Sequence, residues 1–187
     1  SFELAEQALK GDFRHVTHTF NAQSGFSQRA PGVFGAILVS EDVTAELIAD
    51  TVHVHPGAMR LLLRCLGSDR VVTVTDAIPA AGFADGEYHV AGFDAYVKDG
   101  RATLADGTIA GSTATMDRCV ANLVNHVGLS LEEAVRTASL NPARAMGAAD
   151  RLGSIETGKD ANLIVFDDSI HVKLTMVKGH VVYDEMS

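Results

Sequence analysis

Two histidines and an aspartate each lie near the end of a stretch of this sequence that predicts a short strand. His18 ends a stretch that begins at His15, His53 ends the run AELIADTVH, and Asp76 directly follows VVTVT. The carboxyl ends of parallel strands share one edge of a sheet, and α/β folds hold their sites there. Imidazoles at that edge can bind a metal ion that activates water, while the carboxylate moves a proton. The spacing therefore indicates metal-assisted hydrolysis.

Each of these residues also has a simpler interpretation. His18 could be an ordinary core or surface histidine, and Asp76 could cap the element that follows it. His53 alternates with Val52 and Val54, which is also the pattern of a half-buried strand. Only the combination of His, His and Asp at successive strand ends favours a site.

The elements that must position these residues alternate along the first 76 residues. The apolar spacing predicts a helix over residues 2–10 that stops at Gly11, and a second helix over 56–66. The predicted strands lie within residues 15–20, 43–54 and 70–76. Strands separated by helices indicate parallel βα units.

The sequence pattern changes after residue 85. Asp99-Gly100 and Asp106-Gly107 are turn dipeptides, which predict an antiparallel insert between residues 86 and 111. Apolar residues with helical spacing follow from Met116 to Val127, and Ser130 with Glu133 forms the pattern of a capping box before the next helix. Strands return after residue 152, with a predicted hairpin turn at residues 178–179.

The composition excludes several classes of function. The 187 residues are 47% hydrophobic and 21% charged, which is sufficient for a folded core. A formal net charge of -9 argues against nucleic acid or an anionic membrane as the main partner. No apolar run is long enough to span a bilayer. Two cysteines without C-x-x-C spacing indicate reduced thiols, as in a cytoplasmic protein.

Six motifs occur in a fixed order along the chain: THTFNA (17–22), RAPG (29–32), IADTVH (48–53), VTDA (74–77), GSTATM (111–116) and GSIETGKDANL (153–163). With them the chain resembles, from end to end, the N-acetylglucosamine-6-phosphate deacetylase family of the amidohydrolase superfamily. The last motif is shared more widely among amidohydrolases, so it supports the superfamily rather than the substrate.

The resemblance implies an α/β fold that is the C-terminal part of a TIM-type (β/α)8 barrel. It implies a partial barrel over residues 1–85, a β insert near the active site over 86–110, and helices packed on the barrel over 111–150. Residues 151–187 would then be the C-terminal strands of a small β-sandwich domain.

The same resemblance implies the reaction and its main residues. His18 matches a metal ligand, and the metal would be a divalent ion, zinc first, with iron or another divalent ion as alternatives. Asp76 matches the catalytic acid and base, and His53 matches a residue that binds substrate near the reacting amide. The substrate would be a phosphorylated amino sugar. His15 and His55 match no functional position.

The remaining implied positions surround the sugar and its phosphate. Asn21 and Ala22 match contacts of the sugar phosphate. Arg29 matches the arginine that binds the phosphate in the neighbouring subunit, which implies a homodimer. Ile109, Ala110 and Gly111 match the segment that closes over the sugar.

Three positions depart from the family pattern, and they leave fine substrate preference open. Gln23 replaces a usual Met, Ala30 replaces a usual Glu, and Thr51 replaces a common Gly. The replacement at Thr51 costs little if the backbone there is extended, because only a positive φ demands glycine.

The family's other metal ligands, a glutamate and a second histidine, have no match among the 187 residues. We therefore expect a C-terminal fragment that is inactive by itself, because catalytic zinc needs about three protein ligands. Two alternatives stay open. One is another amidohydrolase, such as a dihydroorotase-like enzyme, and the other is a metal-free, non-catalytic half-barrel.

Overall fold

A computed structural model describes residues 1–90 and 92–186. The described chain contains three sheets and six α-helices. The helices are α1 (Phe2–Lys10), α2 (Gly32–Val39), α3 (Pro56–Leu66), α4 (Met116–Asn122), α5 (Leu131–Ala138) and α6 (Leu140–Ala145). Within the described residues, no helix is both long and apolar enough to cross a bilayer.

The first sheet is parallel, as the alternation of strands and helices predicts. Its strands β1 (His15–Val16), β2 (Thr44–Ile48) and β3 (Val71–Val74) lie side by side in chain order. Because all three run in one direction, their carboxyl ends meet at the same edge.

The main core lies between this sheet and the helices. Ala45 and Leu47 of β2 are fully buried and belong to one apolar cluster with Met59 and Leu62 of α3. These side chains alternate along the strand and recur every three to four residues along the helix, so each element buries one face. The core fixes β2, and with it the loop that follows.

The second sheet is the insert. Its strands β4 (Gly86–Val90), β5 (Phe93–Lys98), β6 (Arg101–Thr103) and β7 (Ile109–Ser112) pair antiparallel in chain order. The two predicted Asp-Gly turns connect β5 to β6 and β6 to β7. A small apolar cluster around Ala80, Val97 and Ala102 joins the insert to the chain that follows β3.

The last sheet contains β8 (Leu163–Phe166), β9 (Val172–Val177) and β10 (His180–Asp184), again antiparallel. The predicted hairpin turn at Lys178-Gly179 connects β9 to β10. The predicted capping box at the start of α5 is present, with Glu133 N–H donating to the Ser130 hydroxyl and Ser130 N–H donating to the Glu133 carboxylate.

All three strand predictions were too long, the third by the least, since 70–76 is a strand from Val71 to Val74. The segment 15–20 is a strand only as far as Val16, and 43–54 is a strand only from Thr44 to Ile48. The segment after β2 leaves the sheet because Asp50 Oδ1 accepts the backbone N–H groups of Val52 and His53, which forms a side-chain-closed turn. The helix predicted from Met116 to Val127 is present over its whole length, but only α4 is α-helical, and residues 123–127 continue it as a π-helical turn before Gly128.

Candidate active site

Three loops leave the carboxyl edge of the parallel sheet, and they carry the predicted chemistry. The β1 loop (residues 17–31) carries His18, the β2 loop (49–55) carries His53, and the β3 loop (75–85) begins with Thr75 and Asp76. Because β2 lies between β1 and β3, the β2 loop is the neighbour of both others. The topology therefore brings His18, His53 and Asp76 to one edge.

Backbone strain is concentrated in the same three loops. Among the described residues, eight that are not glycine have a positive φ, and five of them lie here: His18, Phe20, Ala22, Thr51 and Asp76. Such a conformation costs a non-glycine residue about 1–2 kcal/mol and is common at functional sites. The other three, Asp99, Ile170 and Lys178, lie in connections between strands.

His18 lies in the bend directly after β1 rather than on a strand, with φ +27°. Its backbone N–H donates to Glu46 Oε2 at 3.0 Å. Its Nδ1 atom is buried and has no hydrogen-bond partner among the described residues. A buried imidazole nitrogen without a partner is unfavourable in apoprotein, which suits a metal ligand.

Glu46 is a supporting residue that the sequence interpretation missed. Its carboxylate accepts three hydrogen bonds, from His15 Nε2 at 3.0 Å, from Thr17 Oγ1 at 2.8 Å and from the His18 N–H. It therefore fixes the backbone of His18. His15, predicted as scaffold, holds the other side of this carboxylate and also contacts Thr44 Oγ1 at 2.7 Å.

These contacts predict how stability depends on pH. Burial raises the pKa of Glu46, but the hydrogen bonds from His15, the His18 N–H and Thr17 outweigh it, so the pKa lies below the usual value. A lowered folded-state pKa stabilises the protein above the unfolded value of about 4.3, and that contribution is lost as pH falls through the folded value. Glu46→Gln removes this titrating group, so the unfolding free energy of the variant should fall less than that of wild type as the pH drops below about 4.3. Urea unfolding at a series of pH values measures this free energy for both proteins. An equal decrease in the two proteins from neutral to acid pH would contradict the role of Glu46.

The β1 loop is closed by its own side chains. Asn21 Nδ2 donates to the carbonyls of His18 and Thr19, each at 3.3 Å. Gln23, the family departure, accepts from the Phe20 N–H at 3.2 Å through Oε1. Ala22 is exposed with φ +53°. Asn21 and Ala22 thus lie close in sequence to His18. Because Asn21 Nδ2 is used within the loop, the side-chain oxygen Oδ1 is the polar atom of Asn21 left for a ligand.

Arg29 lies apart from these groups. It is exposed at the tip of a tight turn in which Ser27 and Ala30 exchange two backbone hydrogen bonds of 3.2 Å. Within residues 1–90 and 92–186, no hydrogen bond or ion pair joins Arg29 to another predicted site residue. Its position leaves the guanidinium accessible from outside the chain.

His53 is held by a buried carboxylate. Its ring nitrogen Nδ1 lies 2.6 Å from Asp50 Oδ2, within hydrogen-bond distance, and the two side chains are only 6% and 4% exposed. Burial raises the pKa of Asp50, but the hydrogen bonds from the His53 ring and from the two backbone N–H groups lower it further than burial raises it. Asp50 is therefore an ionised acceptor. His55, predicted as scaffold, caps α3 by accepting from the Gly57 N–H.

The backbone at Thr51 is not extended, because Thr51 has φ +67°, so the condition under which threonine costs little there is not met. The turn closed by Asp50 imposes this conformation, which is strained for a β-branched residue. Thr51→Gly should stabilise the chain by about 0.5–1 kcal/mol, since relief of about 1–2 kcal/mol exceeds the entropic cost of glycine. Thermal unfolding should show a Tm higher by about 2 °C.

Thr115 provides the matched control, because it is also exposed but has an extended backbone with φ −98°. Thr115→Gly should lower the Tm, as glycine there relieves no strain. Shifts of equal sign in the two variants would contradict the interpretation of Thr51.

Asp76 is exposed directly after β3, with φ +48°. No helix begins at this residue, and the next element is β4, so a helix-capping role is wrong. The Asp76 carbonyl accepts the Ser112 N–H at 3.0 Å, and Ile78 N–H donates back to the Ser112 carbonyl at 2.9 Å. The insert thereby anchors the catalytic candidate.

The predicted lid residues Ile109, Ala110 and Gly111 form the start of β7 beside this anchor. Gly111 has φ +124°, and a Cβ there would lie 2.6 Å from Ile78 Cγ2. Only glycine fits, so the close approach of β7 to the β3 loop explains the glycine of the GST motif.

The residues present fit one ligand of a metal site but not a whole site. His18 offers a buried, unpartnered nitrogen. Among residues 1–90 and 92–186, however, no group of three His, Cys, Asp or Glu side chains could hold an ion. A catalytic zinc site needs about three protein ligands.

Comparisons with known proteins identify the family to which the chain is similar. A family model described as "Amidohydrolase family" matches residues 2–182. The N-acetylglucosamine-6-phosphate deacetylase of Haemophilus influenzae is 41% identical over 182 residues, covering 96% of this chain and 47% of the relative. The crystal structure of the N-acetylglucosamine-6-phosphate deacetylase of Pasteurella multocida superposes with a TM-score of 0.93 at 38% identity, covering 98% of this chain and 48% of that one.

A shorter relative is named for a different substrate. The putative N-acetylgalactosamine-6-phosphate deacetylase of Escherichia coli K12 is 40% identical over 164 residues, covering 88% of this chain and 98% of the relative. Apart from such a short relative, the chain spans about half the length of the curated relatives it matches. The superposition confirms the predicted α/β fold class.

Proposed function

Because the chain belongs to the amidohydrolase family, we propose that it carries the catalytic acid/base and part of the metal site of an N-acetylglucosamine-6-phosphate deacetylase. The reaction converts N-acetylglucosamine 6-phosphate and water to glucosamine 6-phosphate and acetate. The observation that supports it most is the placement of His18, the Asp50–His53 pair and Asp76 in neighbouring, strained loops at one edge of the parallel sheet. The family implies a divalent metal ion, and zinc is our proposal, which when bound would polarise the carbonyl and activate water.

Asp76 is the proton carrier in this proposal. Its exposed carboxylate accepts the proton of the attacking water and returns it to the amine nitrogen as the C–N bond breaks. The contacts of Ser112 with the Asp76 backbone hold the residue in place. His53 binds the substrate near the reacting amide, and Asn21, Ala22 and residues 109–111 lie around the sugar.

Arg29 anchors the phosphate by a bidentate, charge-assisted contact. Its exposed position at a turn tip suits the active site of a neighbouring subunit better than its own. A homodimer is therefore part of the proposal. An arginine at this point also offsets the acidic charge of the chain, which would otherwise repel an anionic sugar.

We propose that residues outside these 187 complete the metal site, because His18 is one ligand where about three are needed. The polypeptide or assembly that adds those ligands is the complete enzyme. The 187-residue chain alone should release no acetate and should purify without stoichiometric zinc. Tightly bound zinc at one ion per chain would contradict this part of the proposal.

Acetate release by the complete enzyme tests the function. N-acetylglucosamine 6-phosphate should be hydrolysed, and dihydroorotate should not. N-acetylgalactosamine 6-phosphate is a second candidate substrate, because two relatives at 39% and 40% identity are named as deacetylases of that sugar. Hydrolysis of neither sugar phosphate would overturn the proposal, and the ratio of kcat/KM for the two sugars decides between the candidates.

A further inference from the structure

We propose that Asp50 is a positioning residue that fixes the tautomer of His53, so that Nε2 is the unprotonated nitrogen and accepts a hydrogen bond from an N–H or O–H group of the bound sugar. The inference builds on the proposed function for the identity of that ligand. The tautomer itself is a property of the chain.

The argument begins with the Asp50 carboxylate. Oδ1 accepts the N–H groups of Val52 at 2.9 Å and of His53 at 2.8 Å, while Oδ2 faces the His53 ring at 2.6 Å. One side chain therefore fixes both the backbone and the ring of His53. The Ala49 carbonyl just before it accepts from Asn122 Nδ2 at 2.9 Å, which ties the loop to α4.

The protonation states follow from these contacts. An ionised carboxylate only accepts hydrogen bonds, so the proton of the 2.6 Å contact belongs to His53 Nδ1. Cys119 packs behind Asp50, and burial, followed by the Asp50 charge, raises the pKa of its thiol to about 12. It is therefore neutral and places no competing charge beside the carboxylate. A neutral imidazole with a proton on Nδ1 has an acceptor at Nε2.

The substitution Asp50→Asn should change the tautomer of His53, because two backbone hydrogen bonds fix the orientation of the new amide. The amide oxygen must keep the Oδ1 position, because the Val52 and His53 N–H groups both donate to it. The amide NH2 then faces His53 Nδ1, which must become an acceptor, and the proton moves to Nε2. The fold of the loop is kept while the ring presents a donor instead of an acceptor.

Asp167→Asn is the matched control. Asp167 Oδ1 likewise accepts two backbone N–H groups, from Ser169 at 2.9 Å and His171 at 3.0 Å. The His171 ring lies 3.7 Å away and is 70% exposed, so no buried ring is held there. This variant changes the same atoms in the same kind of turn without altering a site histidine.

Two measurements test the proposal. In 15N-histidine-labelled chain, two-bond 1H–15N correlations should show His53 protonated on Nδ1 in wild type and Asp167→Asn, and on Nε2 in Asp50→Asn. In the complete enzyme, Asp50→Asn should lower kcat/KM by about 10- to 100-fold, the cost of an unmatched buried hydrogen bond, while Asp167→Asn stays within about twofold of wild type.

Wild-type His53 protonated on Nε2 would overturn the proposal, even if the variant failed to fold. An unchanged kcat/KM in a folded Asp50→Asn enzyme would also overturn it. Failure of the proposed function can be told apart from failure of this proposal. In the first case wild type hydrolyses neither sugar phosphate, but the NMR measurement can still find His53 protonated on Nδ1.

Discussion

Replacing Asp76 with Asn should lower the kcat of the complete enzyme by about 10²–10⁴, the usual contribution of a general acid–base group. The amide cannot take the proton of the attacking water or return it to the amine. Asn also tolerates the φ of +48° at this position better than other residues, so the loop geometry should survive. Acetate release and circular dichroism spectra of the same preparation measure both effects.

Asp42→Asn is the control for this loss. Asp42 is an exposed aspartate just before β2, at the opposite edge of the parallel sheet from Asp76. The control should keep wild-type turnover. Near-normal turnover in Asp76→Asn would remove Asp76 from the mechanism, whatever the control does.

Replacing Arg29 with Ala should raise the KM for N-acetylglucosamine 6-phosphate by about 10- to 100-fold, because a hydrogen bond to a charged group contributes about 1.5–3 kcal/mol. The kcat should change little, since the phosphate lies away from the reacting amide. Hydrolysis of non-phosphorylated N-acetylglucosamine should be poor in wild type and unaffected by the substitution. Steady-state kinetics with both sugars separate these effects.

An exposed arginine on α3, Arg64, is the matched control for this variant, and Arg64→Ala should leave both KM values unchanged. If wild type hydrolyses the sugar with and without phosphate equally well, the phosphate role of Arg29 is wrong.

A mixture of Arg29→Ala with Asp76→Asn subunits tests the dimer. If each site is built from Asp76 of one subunit and Arg29 of the other, one of the two sites in a mixed dimer has both residues intact and should be active.

The sequence was sufficient to predict those elements whose signals are local. The capping box of Ser130 and Glu133, the turn at Lys178-Gly179 and the Asp-Gly turns of the insert each depend on a few neighbouring residues, and all are present. The presence and order of the three parallel strands were also predictable, because apolar β-branched runs mark buried strands whatever their partners are.

Where the strands end was not predictable from alternation alone. His53 alternates with valines as a strand residue would, yet Asp50 captures two backbone N–H groups and closes a turn. The signal was the D-x-x-H spacing itself, because an aspartate can accept from the backbone two or three residues on. The positive φ of Thr51 follows from the same turn and not from its residue type.

Glu46 was not predictable for a different reason. It faces His15 and Thr17 across a parallel pair of strands, and residues so far apart in sequence meet only through the register of β1 with β2. Its strand position looks like ordinary alternation of charged and apolar residues. Contacts across strands therefore supply the part of the candidate site that local patterns do not contain.

A crystal structure of the complete enzyme carrying Asp76→Asn, with zinc and N-acetylglucosamine 6-phosphate, tests the central claim most directly. We expect the sugar at the carboxyl edge of β1–β3, with zinc on His18, a donor group of the sugar on His53 Nε2 and the phosphate on Arg29 of a neighbouring subunit. A sugar bound elsewhere, or zinc held without His18, would contradict the account.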